Sequence, residues 1–194
     1  PTYGGYSQKI VVNENYVLHI PDHLPLEKVA PLLCAGITTY SPMRHWNIKK
    51  GKKVGIIGLG GLGHMAVKIG HHLGAHITVF SHSENKKSDS FKFGADEFIN
   101  TKDPEFISKL KPDFDLIIHT SSNLNQISEF LSLLKLDGTL VVIGLPKDAS
   151  LVDTKQLICQ RRNLSGSLIG GIKETQEMLD FCGKHHISEE VELI

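Results

Sequence analysis

The sequence predicts an α/β protein built on a doubly wound, parallel β-sheet. Short apolar segments, typical of strands buried on both faces, alternate with amphipathic segments of helical period along residues 53–185. A glycine-rich turn at residues 58–63 joins the first of these strands to the first helix. Parallel strands need crossover connections, so this alternation favours a sheet with helices on both of its faces.

The elements follow from these patterns in chain order. Two short strands are expected at residues 6–12 and 16–20, before helical segments at 24–30 and 31–46. Core strands are predicted at 53–57, 77–80, 97–100, 114–119, 138–143 and 164–169. Helices are predicted at 61–73, 85–93, 103–109, 124–134 and 173–185, and the longest irregular stretch is 145–162. The basic run at residues 49–53 is interpreted as a solvated turn before the first core strand.

Both ends of the chain differ from the ends of a compact domain. The two opening strands have no pairing partners in the remainder of the sequence, and residues 191–194 have the composition of a strand that stops early. We therefore expect a piece of a longer protein. Its predicted parts are a short flap of a second, β-rich domain at 1–30, a nucleotide-binding domain at 31–185, and a return to the second domain at 186–194.

The glycine turn has the spacing of a dinucleotide-binding (Rossmann) motif. Gly58 permits the tight turn, Gly60 allows close approach of a diphosphate, and Gly63 allows the helix to pack on the strand. The helix after the turn offers free N–H groups and the positive end of its dipole to phosphates. The alternative is a glycine-rich loop in another α/β protein; the order strand, turn, helix, strand favours the dinucleotide interpretation. The whole turn comprises Gly58, Leu59, Gly60, Gly61, Leu62 and Gly63.

The residues after the second core strand indicate which dinucleotide binds. A site for NAD usually has an acidic residue there, which binds the ribose 2′-hydroxyl. This chain has Ser81, His82 and Ser83 instead, followed by Lys86. Hydroxyls and a lysine suit a 2′-phosphate, whereas Glu84 is interpreted as an N-terminal helix residue. The expected cofactor is therefore NADP(H), against the simpler alternative of a polar loop.

Composition excludes several other classes. The 21 basic and 21 acidic residues balance, so no footprint for nucleic acid is present. No apolar stretch approaches the roughly 20 residues of a membrane span. The three cysteines lack paired spacing, which favours a reducing, cytoplasmic setting.

Further residues become informative when the segments are compared with a known family. The segment Pro31-Leu32-Leu33-Cys34-Ala35-Gly36 is the most specific of these. The segments that carry the likeness are 4–7, 30–40, 58–64, 81–87, 93–96 and 166–171. Over nearly its whole length the chain resembles the zinc-dependent medium-chain alcohol dehydrogenases, in the branch of the cinnamyl alcohol dehydrogenases and bacterial aldehyde reductases.

The resemblance implies roles for residues that the patterns alone leave open. It implies that Cys34 is one of three protein ligands of a catalytic zinc, although a lone cysteine on an apolar helix is otherwise a small buried side chain. The other two ligands belong to a domain that the sequence lacks, so this segment is expected to hold NADP(H) but not to hold zinc firmly. The implied cofactor contacts are Thr38, Thr120, Gly144, Ser167, Leu168 and Ile169. His64 is expected beside the cofactor, in the first turn of its helix.

The activity that the resemblance implies is hydride transfer between NADP(H) and an alcohol–aldehyde pair, with zinc as the Lewis acid. Two alternatives remain open: a zinc-free reductase of the quinone type, and an inactive NADP-binding or dimerising module. The family also implies a homodimer through the edge strand at residues 164–169, whose apolar side chains could equally be intrachain core.

Overall fold

A computed structural model describes residues 7–192. Its centre is a parallel sheet of six strands in the order β3-β2-β1-β4-β5-β6. The strands are β1 Lys53–Ile57, β2 His76–Ser81, β3 Glu97–Asn100, β4 Phe114–His119, β5 Leu134–Val142 and β6 Asn163–Gly166. This order is that of a doubly wound nucleotide-binding sheet, whose direction of winding reverses between β1 and β4. The predicted fold class is confirmed.

The helices cover both faces of the sheet. They are α1 Ala35–His45, α2 Gly61–His72, α3 Lys87–Lys92, α4 Ile127–Ser132, α5 Thr154–Ile158 and α6 Ile172–His185. Alternate residues of strands β1 to β5 enter opposite cores, as a pleated strand requires. In β1, Val54 and Ile56 pack into a core with α1, α2 and α6, whereas Ile57 faces a second, phenylalanine-rich core beside α4.

The prediction of six core strands is confirmed, but β5 begins at Leu134 rather than at 138, so the predicted helix 124–134 is too long and α4 ends at Ser132. The prediction is wrong for the segment before the sheet. Residues 7–13 and 17–20 form no strand, and residues 14–16 form a 3-10 turn; Tyr6 lies outside the described residues. Val11 is 92% exposed, so its apolar side chain is not buried by the described chain. An isolated hairpin is marginal in water, because its backbone and side chains lack partners. Val191 and Glu192 are likewise not in a strand, and residues 193–194 lie outside the description.

Several helix boundaries also differ from the prediction. Residues 103–109 form turns, because Asp103 accepts hydrogen bonds from the Glu105 amide and from Lys109 Nζ. The predicted helical segment at 24–30 and the start of the one at 31–46 contain only the 3-10 helices Leu26–Lys28 and Ala30–Leu33 before α1 begins. Helix α5 lies inside the stretch predicted to be irregular, and Asp153 caps it by accepting from the Lys155 amide. Within residues 7–192, no helix is both long and apolar enough to span a bilayer.

Candidate functional site

The glycine turn lies between β1 and α2, at the carboxyl end of the sheet. Gly58 has a φ of +90°, a conformation that favours glycine, and its amide donates to the Phe80 carbonyl at 2.9 Å. A Cβ on Gly63 would stand 2.1 Å from the Gly58 oxygen, so only glycine allows the helix to approach the strand this closely. In contrast, the space above Gly60 and Gly61 is open, and both residues are exposed. The turn therefore presents accessible backbone at the start of a 12-residue helix.

Thr120 fixes the opposite side of this crevice. It follows β4, and its Oγ1 donates to the Ile57 carbonyl at 2.8 Å, which ties the ends of β1 and β4 together. Gly144 follows β5, and its amide donates to the His119 carbonyl at 3.2 Å. The predicted contacts after β4 and β5 thus lie at the edge where the winding of the sheet reverses, which is where ligands bind in such folds.

The loop after β2 lies against the glycine turn. Ser81 ends β2 and is 5% exposed, and its Oγ accepts a hydrogen bond from the Ser83 amide at 3.2 Å. His82 is exposed. Lys86 crosses to the glycine turn, where its Nζ donates to the Leu59 carbonyl at 2.7 Å. Glu84 begins a short 3-10 helix and accepts from Asn100 Nδ2, so its carboxylate is engaged on the β3 side.

A cavity of about 390 Å³ begins between Gly58 and Ser81 and continues towards α4. The apolar part of its wall consists of Ile57, Phe80 and Phe130, and polar residues from three loops form the rest. The lining residues that sequence reasoning did not find are Thr101, His119, Ser121, Asn123, Asn125, Gln126 and Phe130. Most of them belong to a polar run directly after β4. A polar run at the carboxyl end of a central strand could have predicted these residues, because ligands bind at that end of such sheets.

His119 is the most buried polar member of this wall. Its side chain is 2% exposed, and its Nδ1 has no hydrogen-bond partner among residues 7–192. Burial lowers the pKa of His119, so the imidazole is neutral at pH 7. The ring stands nearly perpendicular to that of Phe130, with 6.4 Å between centroids. The cavity thus combines a flat apolar wall with an uncharged polar edge.

Cys34 and Thr38 lie on the first turn of α1. Cys34 is the N-cap residue and is exposed, so it is not the buried apolar side chain that a lone cysteine usually is. Thr38 is 5% exposed, and its amide donates to the Cys34 carbonyl. In the part of the chain that the structure describes, no three histidine, cysteine or acidic side chains are grouped as a metal site. The thiol suits zinc as a single ligand, and the remaining ligands would have to come from other residues.

Ser167, Leu168 and Ile169 lie beyond β6 rather than within it, because the strand ends at Gly166. The Ser167 amide donates to the Val142 carbonyl at 3.1 Å, which holds the segment beside the end of β5. Leu168 is 80% exposed, and Ile169 has a φ of +40°. A positive φ cannot continue a strand, so the predicted boundary at 169 is wrong.

Comparison with known proteins agrees with this geometry. The fold and the glycine turn define a dinucleotide-binding domain. Residues 61–184, more than half of the chain, match the model of the family described as zinc-binding dehydrogenase. The chain therefore belongs to the zinc-binding dehydrogenase family.

Individual relatives are similar along the whole chain. NADP-dependent alcohol dehydrogenase C 1 of Mycolicibacterium smegmatis is 58% identical over 194 residues, and aldehyde reductase YahK of Escherichia coli is 48% identical over 196. The crystal structure of CAD from Helicobacter pylori complexed with NADP(H) superposes with a TM-score of 0.87 at 46% identity, covering 98% of this chain and 55% of that one. Each comparison with the two curated relatives covers 100% of this chain and 56% of the relative. The chain thus spans about half the length of the proteins that it matches.

Proposed function

We propose that this chain is the cofactor-binding part of an NADP(H)-dependent, zinc-dependent alcohol dehydrogenase or aldehyde reductase. The observation that carries the proposal is the contact between the two predicted phosphate sites: Lys86 bridges the loop after β2 to the carbonyl of Leu59 in the glycine turn. One ligand with phosphates at two places, as in NADP(H), matches this pair of sites. The names of the Mycolicibacterium smegmatis and Helicobacter pylori proteins, both of which mention NADP, support the same cofactor.

Each end of the cofactor has a proposed set of contacts. The backbone of Gly60 and Gly61, open to solvent at the start of α2, binds the diphosphate. Ser81, His82, Ser83 and Lys86 bind the 2′-phosphate by hydrogen bonds and charge. The remaining proposed contacts, towards the nicotinamide, are Thr38, Thr120, Gly144, Ser167, Leu168 and Ile169. The adenine ring would occupy the cavity beside Phe130 and His119.

Chemistry at the substrate requires the zinc that the family name implies. Cys34 would supply one thiolate ligand, and its position at the exposed N-terminus of α1 leaves it free to share a metal with residues outside the described segment. Bound zinc would polarise the aldehyde oxygen and stabilise the charge that develops there during reduction. The chain itself orients the nicotinamide, so that donor and acceptor carbons meet in reacting geometry.

The organisation of the protein is part of the proposal. Residues 31–185 form the cofactor domain, and residues 1–30 and 186–194 connect it to a substrate domain. The exposed Val11 suits this arrangement, because a second domain would cover it. Two copies are proposed to pair through β6, which is a strand at one edge of the sheet. Free cysteines at Cys34, Cys159 and Cys182 suit a reducing compartment such as the cytoplasm.

Steady-state kinetics on the protein that contains this chain tests the activity. NADPH oxidation is followed with a panel of aromatic and aliphatic aldehydes, before and after treatment with a chelator and after addition of Zn²⁺. The expected result is turnover that the chelator abolishes and Zn²⁺ restores. Turnover that survives complete metal removal would instead support the zinc-free reductase, and absence of turnover in a zinc-loaded protein that binds NADPH would support the inactive binding module.

A further inference from the structure

His64 connects the glycine turn to a distant part of the chain. It lies in the first turn of α2, where its Nδ1 is 3.2 Å from the carbonyl oxygen of Gly60. Its Nε2 forms an ion pair with a carboxylate oxygen of Glu189. The side chain is only 14% exposed, and the ring lies 5.4 Å from that of Phe93. Both ring nitrogens therefore lie next to oxygen atoms in a sheltered site, Nδ1 in a hydrogen bond and Nε2 in an ion pair, and an imidazole presents an N–H to both oxygens only when it is protonated.

Glu189 belongs to the segment that follows α6 and runs back along α2. Its carboxyl group is 5% exposed, and its Oε1 has no hydrogen-bond partner among residues 7–192. Ile187 anchors the segment in the core, and Lys68 holds it further by donating to the Ser188 carbonyl at 2.8 Å. A buried carboxylate with an unpaired oxygen is costly unless a cation neutralises it. Among residues 7–192, the ion-pair partner of this carboxylate is His64.

We infer that His64 is a positioning residue for the cofactor: as an imidazolium held by Glu189, it fixes the Gly60 carbonyl and adds a positive charge beside the diphosphate site, so that the coenzyme binds more tightly when His64 is protonated. This inference rests on the proposed function, because it assigns a role in binding the diphosphate. It also connects the cofactor turn to the segment after α6, since both contacts converge on one ring.

The charges around His64 decide the direction of the pH effect. Burial lowers its pKa, but the hydrogen bond and charge of Glu189, together with the Gly60 carbonyl, outweigh burial and raise the pKa above 6.5. Lys68, one turn further along α2, opposes this increase and itself pairs with Glu190 at 2.9 Å. Two further charged residues line the same cavity as His64: the acidic Asp89 of α3 and the basic Lys86 of the loop before α3. A bound diphosphate would raise the pKa further, so affinity falls as pH rises past the pKa of the free protein.

The test is the dissociation constant of NADPH, measured by calorimetry between about pH 7 and pH 9, where the coenzyme 2′-phosphate is ionised throughout. Wild type, His64→Gln, Glu189→Gln and His72→Gln are compared. His72 is the matched control, because it is an exposed imidazole on the same helix whose Nδ1 contacts its own i−4 carbonyl, that of Lys68, at 2.8 Å. Inorganic pyrophosphate, which lacks the adenosine and nicotinamide ends, serves as a second probe at one fixed pH, because its own last ionisation falls within this range.

Each of the four proteins has its own expected result. Wild type loses affinity for NADPH by about threefold to tenfold across this pH range. His64→Gln removes that dependence, and Glu189→Gln moves its midpoint to lower pH, whereas His72→Gln behaves as wild type. A purely structural role for the pair would weaken binding equally at every pH and leave the midpoint unchanged.

Failure of this inference can be told apart from failure of the proposed function. If wild type binds NADPH but Glu189→Gln has the same pH midpoint, the role of His64 is wrong and the cofactor assignment stands. If no variant and no wild-type sample binds NADPH at any pH, the cofactor assignment itself fails. Should His64→Gln not fold, NMR titration of the His64 ring in wild type gives the same answer: its pKa must rise when pyrophosphate is added, and a constant pKa overturns the inference.

Discussion

Lys86 and Leu59 are joined by a hydrogen bond of 2.7 Å, from the lysine Nζ to the backbone carbonyl oxygen. The bond places a positive charge where the glycine turn and the loop after β2 meet. The lysine can hold the turn before the coenzyme arrives and can also contribute charge to a phosphate placed next to it. This double use makes Lys86 the most informative position for the choice between NADP(H) and NAD(H).

Replacing Lys86 with glutamine should reduce NADPH affinity by about tenfold, the equivalent of one charge-assisted hydrogen bond. NADH affinity should change less, because NADH lacks the 2′-phosphate. Lys87→Gln is the control, since Lys87 is the adjacent lysine and its ion pair is with Glu84 at 3.4 Å. Fluorescence titration with both coenzymes measures the ratio. Equal losses for NADPH and NADH would show that Lys86 supports the turn without selecting the coenzyme.

Gly63→Ala should disrupt the turn itself. The added Cβ would meet the Gly58 oxygen at 2.1 Å, and a backbone atom cannot move aside as a side-chain end can. We expect a loss of stability of about 2 kcal/mol or more and no measurable NADPH binding. Gly61→Ala provides the matched control, because nothing lies within 4 Å of its added Cβ. Its stability in urea should stay level or rise by up to about 1 kcal/mol; equal destabilisation of the two variants would contradict the packing argument.

Asp115 explains why the basic run before β1 is not simply a solvated turn. Lys52 Nζ and the Lys53 amide both donate to its carboxylate at 2.9 Å, and Lys135 forms a third contact. Burial by itself would raise the pKa of Asp115, but the hydrogen bonds from Lys135, Lys52 and the Lys53 amide outweigh it and lower the pKa below 3.8. Part of the basic run therefore holds the start of β1 against β4.

Asp115→Asn should accordingly destabilise the fold by about 1–3 kcal/mol at neutral pH. Since the folded-state pKa is depressed, the contribution is present above the unfolded pKa and is lost as pH falls through the folded pKa. Urea unfolding at a series of pH values should show the wild-type and variant curves converging in acid. Asp113→Asn, which alters an exposed pair with Lys53, should cost less than about 0.5 kcal/mol. Curves that stay parallel down to low pH would contradict the account.

Leu168→Lys should prevent the proposed dimer. Leu168 follows β6, the last strand of the described sheet, and is 80% exposed, so a charge there would be buried only in an assembly. Light scattering should give a dimer mass for wild type and a monomer mass for the variant. The control is Leu151→Lys, a leucine outside β6 that is 96% exposed, which should remain dimeric. A dimer that persists in Leu168→Lys would remove β6 from the interface.

The parts of the fold that could be predicted share one physical property. Their conformation is determined either by local backbone geometry or by apolar side chains that are buried on both faces of the sheet. The run from Leu116 to Ile118 is entirely buried and was identified as a central strand from its composition. The glycine turn was identifiable because its conformation demands glycine at Gly58 and Gly63. Neither inference required knowledge of a distant partner.

The parts that could not be predicted depend on such partners. Residues 103–109 have helical spacing, but they form turns that an ion pair between Asp103 and Lys109 stabilises. Glu189 contacts His64 only because the segment after α6 returns to α2, and no local sequence pattern predicts that return. The cavity wall at His119 combines residues from loops that meet only when the sheet forms. Contacts between residues that are distant in the sequence depend on the topology of the fold, and the hydrophobic periodicity of a segment does not reveal that topology.

The central claim is that this chain binds NADP(H) at the glycine turn and the loop after β2. Titration calorimetry of the folded 194-residue chain with NADPH and with NADH tests it most directly. We expect one NADPH per chain, bound at least about tenfold more tightly than NADH, the difference made by charge-assisted bonds to one phosphate. Absence of binding by both coenzymes, or tighter binding of NADH, would contradict the account.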